Sequence, residues 1–156
     1  MGKGIFPPSF AHSPIAYHGR ATSVVVSGTN VTRPSGQMTS NGSTTFGPEP
    51  MLDFELELGA YVATSNPMGQ PVPIAAASER LFGCCLVNDW SARAVQFYET
   101  QPLGPFLSKS FATSVSPWIV TVDALEPFRR PLARPDYMTE TPAHLTDATD
   151  LKEGAL

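Results

Sequence analysis

The chain has 156 residues, enough for one domain with a real core. Its ten Lys and Arg against fourteen Asp and Glu leave a net charge of −4, so no basic stripe is available to neutralise a phosphate backbone, which argues against a nucleic-acid partner. Hydrophobic residues make up 42%, but charged ones only 15%, and sixteen Pro with twelve Gly break the chain into short segments, which favours a β-rich architecture over a helix bundle.

In chain order, residues 1–14 are irregular and rich in Pro, Gly and Ser. The opening Met1-Gly2-Lys3-Gly4-Ile5-Phe6-Pro7-Pro8 lacks the apolar run of a signal peptide, and no stretch reaches membrane-spanning length. A cytoplasmic chain without a membrane partner is expected. The β-branched run at residues 23–27 predicts a strand. Residues 30–50 are Asn, Ser, Thr, Gly and Pro almost throughout and read as a long loop. A strand follows at about 51–63, a turn at 66–70 and a short helix at 75–82. The apolar run at 82–87 predicts a buried strand; its Cys84 and Cys85 are neighbours and read as buried thiols of a reducing compartment. Asp89 or Ser91 would cap a helix at about 91–99. Residues 101–114 read as a loop, 118–122 as a strand, and the Pro-rich polar stretch from about 126 holds no convincing core element.

Three segments carry chemistry. In Leu52-Asp53-Phe54-Glu55-Leu56-Glu57-Leu58, strand alternation puts Glu55 and Glu57 on one face and Phe54, Leu56 and Leu58 on the other. Two carboxylates on a half-buried face repel, and a hard cation such as Mg²⁺ or Ca²⁺ relieves them; the alternative is the solvated face of an edge strand. In Asn88-Asp89-Trp90-Ser91-Ala92-Arg93-Ala94-Val95-Gln96, Asp89 lies where a strand ends and a helix begins. Arg93, Gln96 and Thr100 share one helix face, although a capped helix with a polar outer face has the same pattern. In Leu103-Gly104-Pro105-Phe106-Leu107-Ser108-Lys109-Ser110-Phe111-Ala112-Thr113, one of only three lysines stands among apolar and small residues. Such a lysine is paired with a carboxylate, placed to meet an anion, or simply on a mobile surface loop. Of the histidines, His12 and His144 lie in irregular, proline-flanked segments, and His18 is a site residue or a structural hydrogen-bonder. The inventory of three carboxylates, one Lys, one Arg, one Gln and one Tyr suits a cation-chelated substrate bearing carboxylates or a 1,3-dicarbonyl.

These segments, with Tyr17-His18-Gly19-Arg20-Ala21-Thr22-Ser23-Val24-Val25-Val26-Ser27-Gly28, resemble the fumarylacetoacetase family from about residue 15 to 125, in order and with compatible spacing. The resemblance implies hydrolysis of the carbon–carbon bond of a dicarboxylate diketone to fumarate and acetoacetate, the last step of tyrosine and phenylalanine breakdown. It implies a mainly β, mixed β-sandwich roll with one or two short helices, incomplete here, and a homodimer in the full-length protein. It divides the chain into a non-matching segment 1–14, a partial catalytic domain 15–125 and a tail 126–156. Glu55, Glu57 and Asp89 match ligands of the active-site Ca²⁺ or Mg²⁺, and Lys109 and Thr113 match a second, Mg²⁺ site. Lys109, Arg93 and Gln96 match groups that hold the substrate and its oxyanion; Tyr17, Gln96 and Thr100 fall at substrate-contact positions.

The departures are specific. The family's general base is a histidine in an Asp-x-Tyr-x-Ser-x-x-His segment, which residues 1–14 do not contain. The glutamate that orients that histidine would fall beyond Leu156. A tyrosine of the family is Thr100 here, and an aspartate is Ala94. Two other readings stand beside a fragment of a fumarylacetoacetase: a truncated, non-catalytic paralogue with a metal-binding or assembly role, and a related diketone or acylpyruvate hydrolase. The missing base predicts that the isolated 156-residue chain has no turnover; metal-dependent hydrolysis by the purified chain, abolished by replacing His12 or His18, would refute this.

Overall fold

The computed structural model describes residues 9, 16–131 and 141–148. The chain is mainly β. In order it forms β1 (Val24–Val26), β2 (Ser35–Ser40), β3 (Ser43–Pro48), β4 (Leu52–Asp53), β5 (Leu56–Val62), β6 (Leu81–Asp89), β7 (Ser91–Ala92), α1 (Arg93–Glu99), α2 (Leu107–Ser110), β8 (Thr113–Val115), β9 (Val120–Thr121) and α3 (Val122–Leu125). No helix among the described residues is long and apolar enough to cross a membrane. The described residues fall into two compact units, one of residues 17–59 and 85–119, the other built mainly on residues 60–84 and 120–131. The strands β5 and β6 each contribute to both.

The first unit contains every segment singled out above. Its sheet is mixed: β1 runs parallel to β8, with Val24 opposite Thr113, and β8 runs antiparallel to the end of β6, with Thr113 opposite Asp89. Beside it, β4 pairs antiparallel with β7, Leu52 opposite Ala92 and Asp53 opposite Ser91. Residues 30–50, read as a loop, instead form the β2–β3 hairpin. Asn41 and Gly42 both take positive φ, 49° and 76°, the turn that matches the twist of the flanking strands. The strands escaped the sequence reading because polar and small residues fill them, and only Gly36 and Met38 are buried. Gly36 is required by close approach: a Cβ there would stand 2.5 Å from Val95 Cγ2 on α1.

The strand expected at 51–63 is broken at Phe54-Glu55. There side chains replace ladder partners: Phe54 N–H donates to Asp53 Oδ1 at 2.8 Å and Glu55 N–H to Asn88 Oδ1 at 3.2 Å. Phe54, Leu56 and Leu58 stand exposed. The loop expected at 101–114 holds α2 and the start of β8. The helix expected at 91–99 begins at Arg93, because Ser91 and Ala92 are held in β7.

Neither Asp89 nor Ser91 caps that helix. Ser91 donates its hydroxyl back to the Asp89 carbonyl. The cap is Glu49, whose Oε1 accepts from Ala94 N–H at 3.2 Å and Met51 N–H at 2.7 Å, and whose Oε2 accepts from Val95 N–H at 3.0 Å. Its backbone is fixed as well, by Arg33 Nη1 on its carbonyl and by Pro34 O on its N–H. Glu49 is 1% exposed.

In the second unit, the short helix expected at 75–82 is two 3-10 turns, Ile74–Ala76 and Ser78–Arg80. The Arg80 carbonyl accepts from Ala63 N–H, a strand-type partner that ends the turn and starts β6. Gly83 and Cys84 of β6 pair with Thr121 and Val120 of β9. The strand expected at 118–122 is thus only two residues long, and Thr121 then caps α3 by accepting from Ala124 N–H. Both cysteines are free thiols; Cys85 is buried, but Cys84 only half-buried, since β6 alternates faces. Leu81, Phe82 and Leu86 of that run are exposed. From residue 126 on, the described chain holds the 3-10 turns Glu126–Phe128 and Ala143–Leu145, and none of its described residues is buried. Segment 1–14 falls, apart from Ser9, outside the described residues.

Removing the Glu49 carboxylate leaves three amide donors of a buried junction without a partner. Glu49→Ala is expected to lower stability by about 2–4 kcal/mol, read from urea unfolding, with a smaller loss in Glu49→Gln.

Candidate metal centre

Backbone contacts bring two distant segments together. The β4–β7 pairing sets residues 52–53 against 91–92, and Asp89 N–H donates to the Glu55 carbonyl at 3.0 Å. With Glu55 N–H on Asn88 Oδ1, this clip holds Glu55 beside Asp89. Trp90 turns away at the strand end, its Nε1 donating to Ser114 Oγ at 3.0 Å. Oxygens of Glu55, Glu57 and Asp89 all lie within 4.8 Å of one another.

Two cations meet this cluster. Lys109, from α2, is 4% exposed; its Nζ lies 2.6 Å from Glu55 Oε2 and 2.9 Å from Asp89 Oδ2. Of the three sequence readings of Lys109, pairing with carboxylates is the one observed. Arg93, first residue of α1, reaches Asp53 Oδ2 through Nε at 3.1 Å and Glu55 Oε1 through Nη2 at 3.3 Å. Neither Arg93 nor Lys109 has its partners close in sequence: Asp53 lies 40 residues from Arg93, and Asp89 and Glu55 lie 20 and 54 residues from Lys109.

The charges do not balance. Burial pushes the Glu55 carboxyl up, but the Lys109 hydrogen bond and the charges of Lys109 and Arg93 outweigh it and hold it below its ordinary range. Burial likewise pushes Lys109 down, and its hydrogen bonds to Glu55 and Asp89 overcome that, so it is held firmly as an ammonium. Glu57 goes the other way. Burial, then the charges of Asp89 and Glu55, raise its carboxyl above the ordinary range, and it makes no ion pair among the described residues. Four carboxylates (Asp53, Glu55, Glu57 and Asp89) face two cations, which leaves −2, the charge that one divalent cation neutralises. The donors are hard oxygens, as Mg²⁺ or Ca²⁺ requires, and Glu57 is the carboxylate left to be satisfied. The residues present therefore fit such an ion.

The other expected site residues sit around this cluster. Gln96 lies one turn along α1 from Arg93, and its side-chain Oε1 is buried without a hydrogen-bond partner among the described residues. Thr100 is exposed and its hydroxyl is turned back onto the Gln96 carbonyl at 2.6 Å. Thr113 is half-buried in β8, opposite Asp89. The Tyr17 ring is 53% exposed, with its centroid 5.9 Å from Lys109 Nζ. His18 and His144 are exposed, and His12 lies outside the described residues. Sequence reasoning missed Asp53, Glu49 and Glu99. Asp53 stood in the same motif as Glu55; the other two act on backbone amides of remote segments, for which a sequence has no local signal.

The family model described as "Fumarylacetoacetate (FAA) hydrolase C-terminal" matches residues 1–146. The chain is 55% identical over 123 residues to the fumarylacetoacetase of Oryza sativa subsp. japonica, covering 78% of this chain and 29% of the rice protein. It is 54% identical over 123 residues to that of Arabidopsis thaliana, with the same coverage. To the fumarylacetoacetase of Homo sapiens it is 52% identical over 131 residues, covering 83% of this chain and 31% of the human protein. The chain thus spans about 30% of the length of these relatives. With a family match over residues 1–146 and 52–55% identity to these fumarylacetoacetases, the chain belongs to the fumarylacetoacetate hydrolase family.

Proposed function

We propose that this chain carries the cation-binding and oxyanion-holding side of a fumarylacetoacetase, which hydrolyses 4-fumarylacetoacetate to fumarate and acetoacetate in tyrosine and phenylalanine breakdown. The observation that carries the reading is the convergence of Glu55, Glu57 and Asp89 under the ammonium of Lys109 and the guanidinium of Arg93. The stretch that carries the resembling motifs, about 15–125, is read as part of the catalytic domain of a cytoplasmic homodimer.

Glu55, Glu57 and Asp89 would hold Ca²⁺ or Mg²⁺, which when bound chelates and polarises the oxygens of a 1,3-dicarbonyl. The remaining chemistry belongs to side chains. Water adds to the carbonyl carbon of the fumaroyl group and loses a proton, the bond from that carbon to the methylene between the two ketones breaks, the fumaroyl carbon becomes the new carboxylate of fumarate, and the electron pair leaves with acetoacetate as an enolate that then takes a proton on carbon. Negative charge builds first on the attacked oxygen and then on the enolate. Lys109, Arg93 and Gln96 are the donors that stabilise it, and they act in a partly dry site where such donors count most. Arg93 and Lys109 are fixed beforehand by carboxylates, so no reorganisation is needed as charge develops. Gln96 is half-buried, and its buried Oε1 has no hydrogen-bond partner among the described residues; its amide NH2 would be the donating group. Tyr17 and Thr100 line the approach. Lys109 also matches, with Thr113, a second Mg²⁺ site; as an ammonium its Nζ would not ligate a cation there.

Exchanging the matched segment of the rice fumarylacetoacetase for that of this chain tests the reading. The chimera is expected to hydrolyse 4-fumarylacetoacetate, followed by loss of substrate absorbance, and Lys109→Met in it to lose about a hundredfold or more. A folded chimera without turnover would overturn the assignment.

Millimolar Ca²⁺ or Mg²⁺ is expected to raise the melting temperature of the purified chain by a few degrees. Because the Glu57 carboxyl is raised, its charged form costs the folded chain stability above the ordinary carboxylate range near 4.5, and nothing once it is protonated in both states. Glu57→Gln should therefore melt higher than the parent in EDTA at neutral pH, lose that advantage in acid, and gain less from metal. Thermal unfolding at several pH values, with and without metal, checks all three signs.

A further inference from the structure

Glu99 ends α1, at the opposite end from Arg93, and the reading above gives it no role. Its Oε1 accepts from Phe106 N–H at 2.7 Å and Ser108 N–H at 2.8 Å, and its Oε2 from Leu107 N–H at 3.1 Å. The Ser108 hydroxyl donates to Oε1 as well. Three consecutive amides at the start of α2 are thus gathered by one carboxylate from another helix, while Phe106, the residue at the N-cap position, offers no side-chain cap. Burial pushes the Glu99 carboxyl up, yet these four donors outweigh it and hold it below its ordinary range, as an anion.

The helix α2 is four residues long, too short to hold its shape without tertiary support. Ser108 is fully buried by this contact, and the next residue is Lys109. The long lysine side chain has many rotamers and must be aimed at two carboxylates from a base that does not move. The only side-chain carboxylate fixing that base, among the described residues, is Glu99.

We propose that Glu99 is a positioning residue for Lys109: it locks the first turn of α2 so that the ammonium is delivered between Glu55 and Asp89. The consequence for the reaction rests on the role given to Lys109 above; the geometry does not.

The test is a four-way comparison in the 156-residue chain of the parent, Glu99→Asp, Lys109→Met and the double variant. Glu99→Asp keeps the charge and withdraws the carboxylate by one methylene. In EDTA, the loss of melting temperature from Glu99→Asp should be at most about half as large in the Lys109→Met background as in the parent, because the ion pairs it disturbs are already gone. A purely structural clamp gives the same loss in both backgrounds, and that additive result would overturn the proposal. In a Ca²⁺ titration, Glu99→Asp should bind at a concentration about threefold lower or less, as Lys109→Met does, because a competing internal cation has been released. Loosening a merely structural contact would weaken Ca²⁺ or leave it unchanged, which would count against the proposal. If Glu99→Asp does not fold, Glu99→Gln, which keeps one acceptor oxygen, replaces it in the same comparison. Absence of Ca²⁺ binding in all four chains would sink the cation reading of the preceding section, while the coupling in EDTA would still judge Glu99.

Discussion

A buried ammonium constrains this structure more than any apolar contact. Lys109 is 4% exposed, and a cation taken out of water costs several kcal/mol unless carboxylates compensate it. Glu55 and Asp89 provide that compensation, and each must then be held where it stands. The Asn88 clip, the β4–β7 pairing and the Trp90–Ser114 bond do this from one side. On the other side, Glu99 gathers three amides at the start of α2, the helix that carries Lys109 itself. Removing a partner from such a pair is costly because the remaining charge stays buried.

The buried residues follow the same logic. Among the described residues the buried hydrophobic ones are Met38, Cys85, Ala92, Val95 and Ala112, mostly small; beside them lie Glu49, Ser91, Ser108 and Lys109. With so little apolar volume enclosed, hydrogen bonds to charged groups take over the task of fixing elements. The helix α1 illustrates it: Glu49 holds its first turn, its own first residue binds Asp53 and Glu55, and its last residue holds α2. Seven residues thereby connect four parts of the site. The cluster remains negatively charged after Lys109 and Arg93 are counted, which is why a divalent cation suits it and a further lysine would not.

The residue types of the candidate site are legible in the sequence; their functional roles stay a proposal. Glu55, Glu57 and Asp89 were visible as carboxylates at a strand and at a strand end, and Lys109 as a rare lysine among small residues. Their convergence in space agrees with that reading, although the strand assumed to align Glu55 with Glu57 is broken at Glu55. The β2–β3 hairpin was hidden by its Ser, Thr and Gly content, even though Asn41-Gly42 is a strong local turn signal. The 3-10 turns at 74–80 were read as a helix because Ala, Glu and Arg favour one locally, while the Arg80–Ala63 bond that ends them is non-local.

The linear order of residues is enough to establish which chemistry is available: hard carboxylate oxygens in a chain poor in charge, one lysine and one arginine near polar loops, and a β-rich frame broken by proline and glycine. Those follow from side-chain type and short-range periodicity, which a linear reading contains. The tertiary structure alone decided the pairings. That Lys109 neutralises Glu55 and Asp89, that Arg93 takes Asp53, and that Glu49 and Glu99 tie down the ends of one short helix all depend on contacts between residues up to 54 positions apart. Such contacts form because an unpaired buried charge or amide is too costly to leave, and which partner meets it is set by how the strands bring distant segments together.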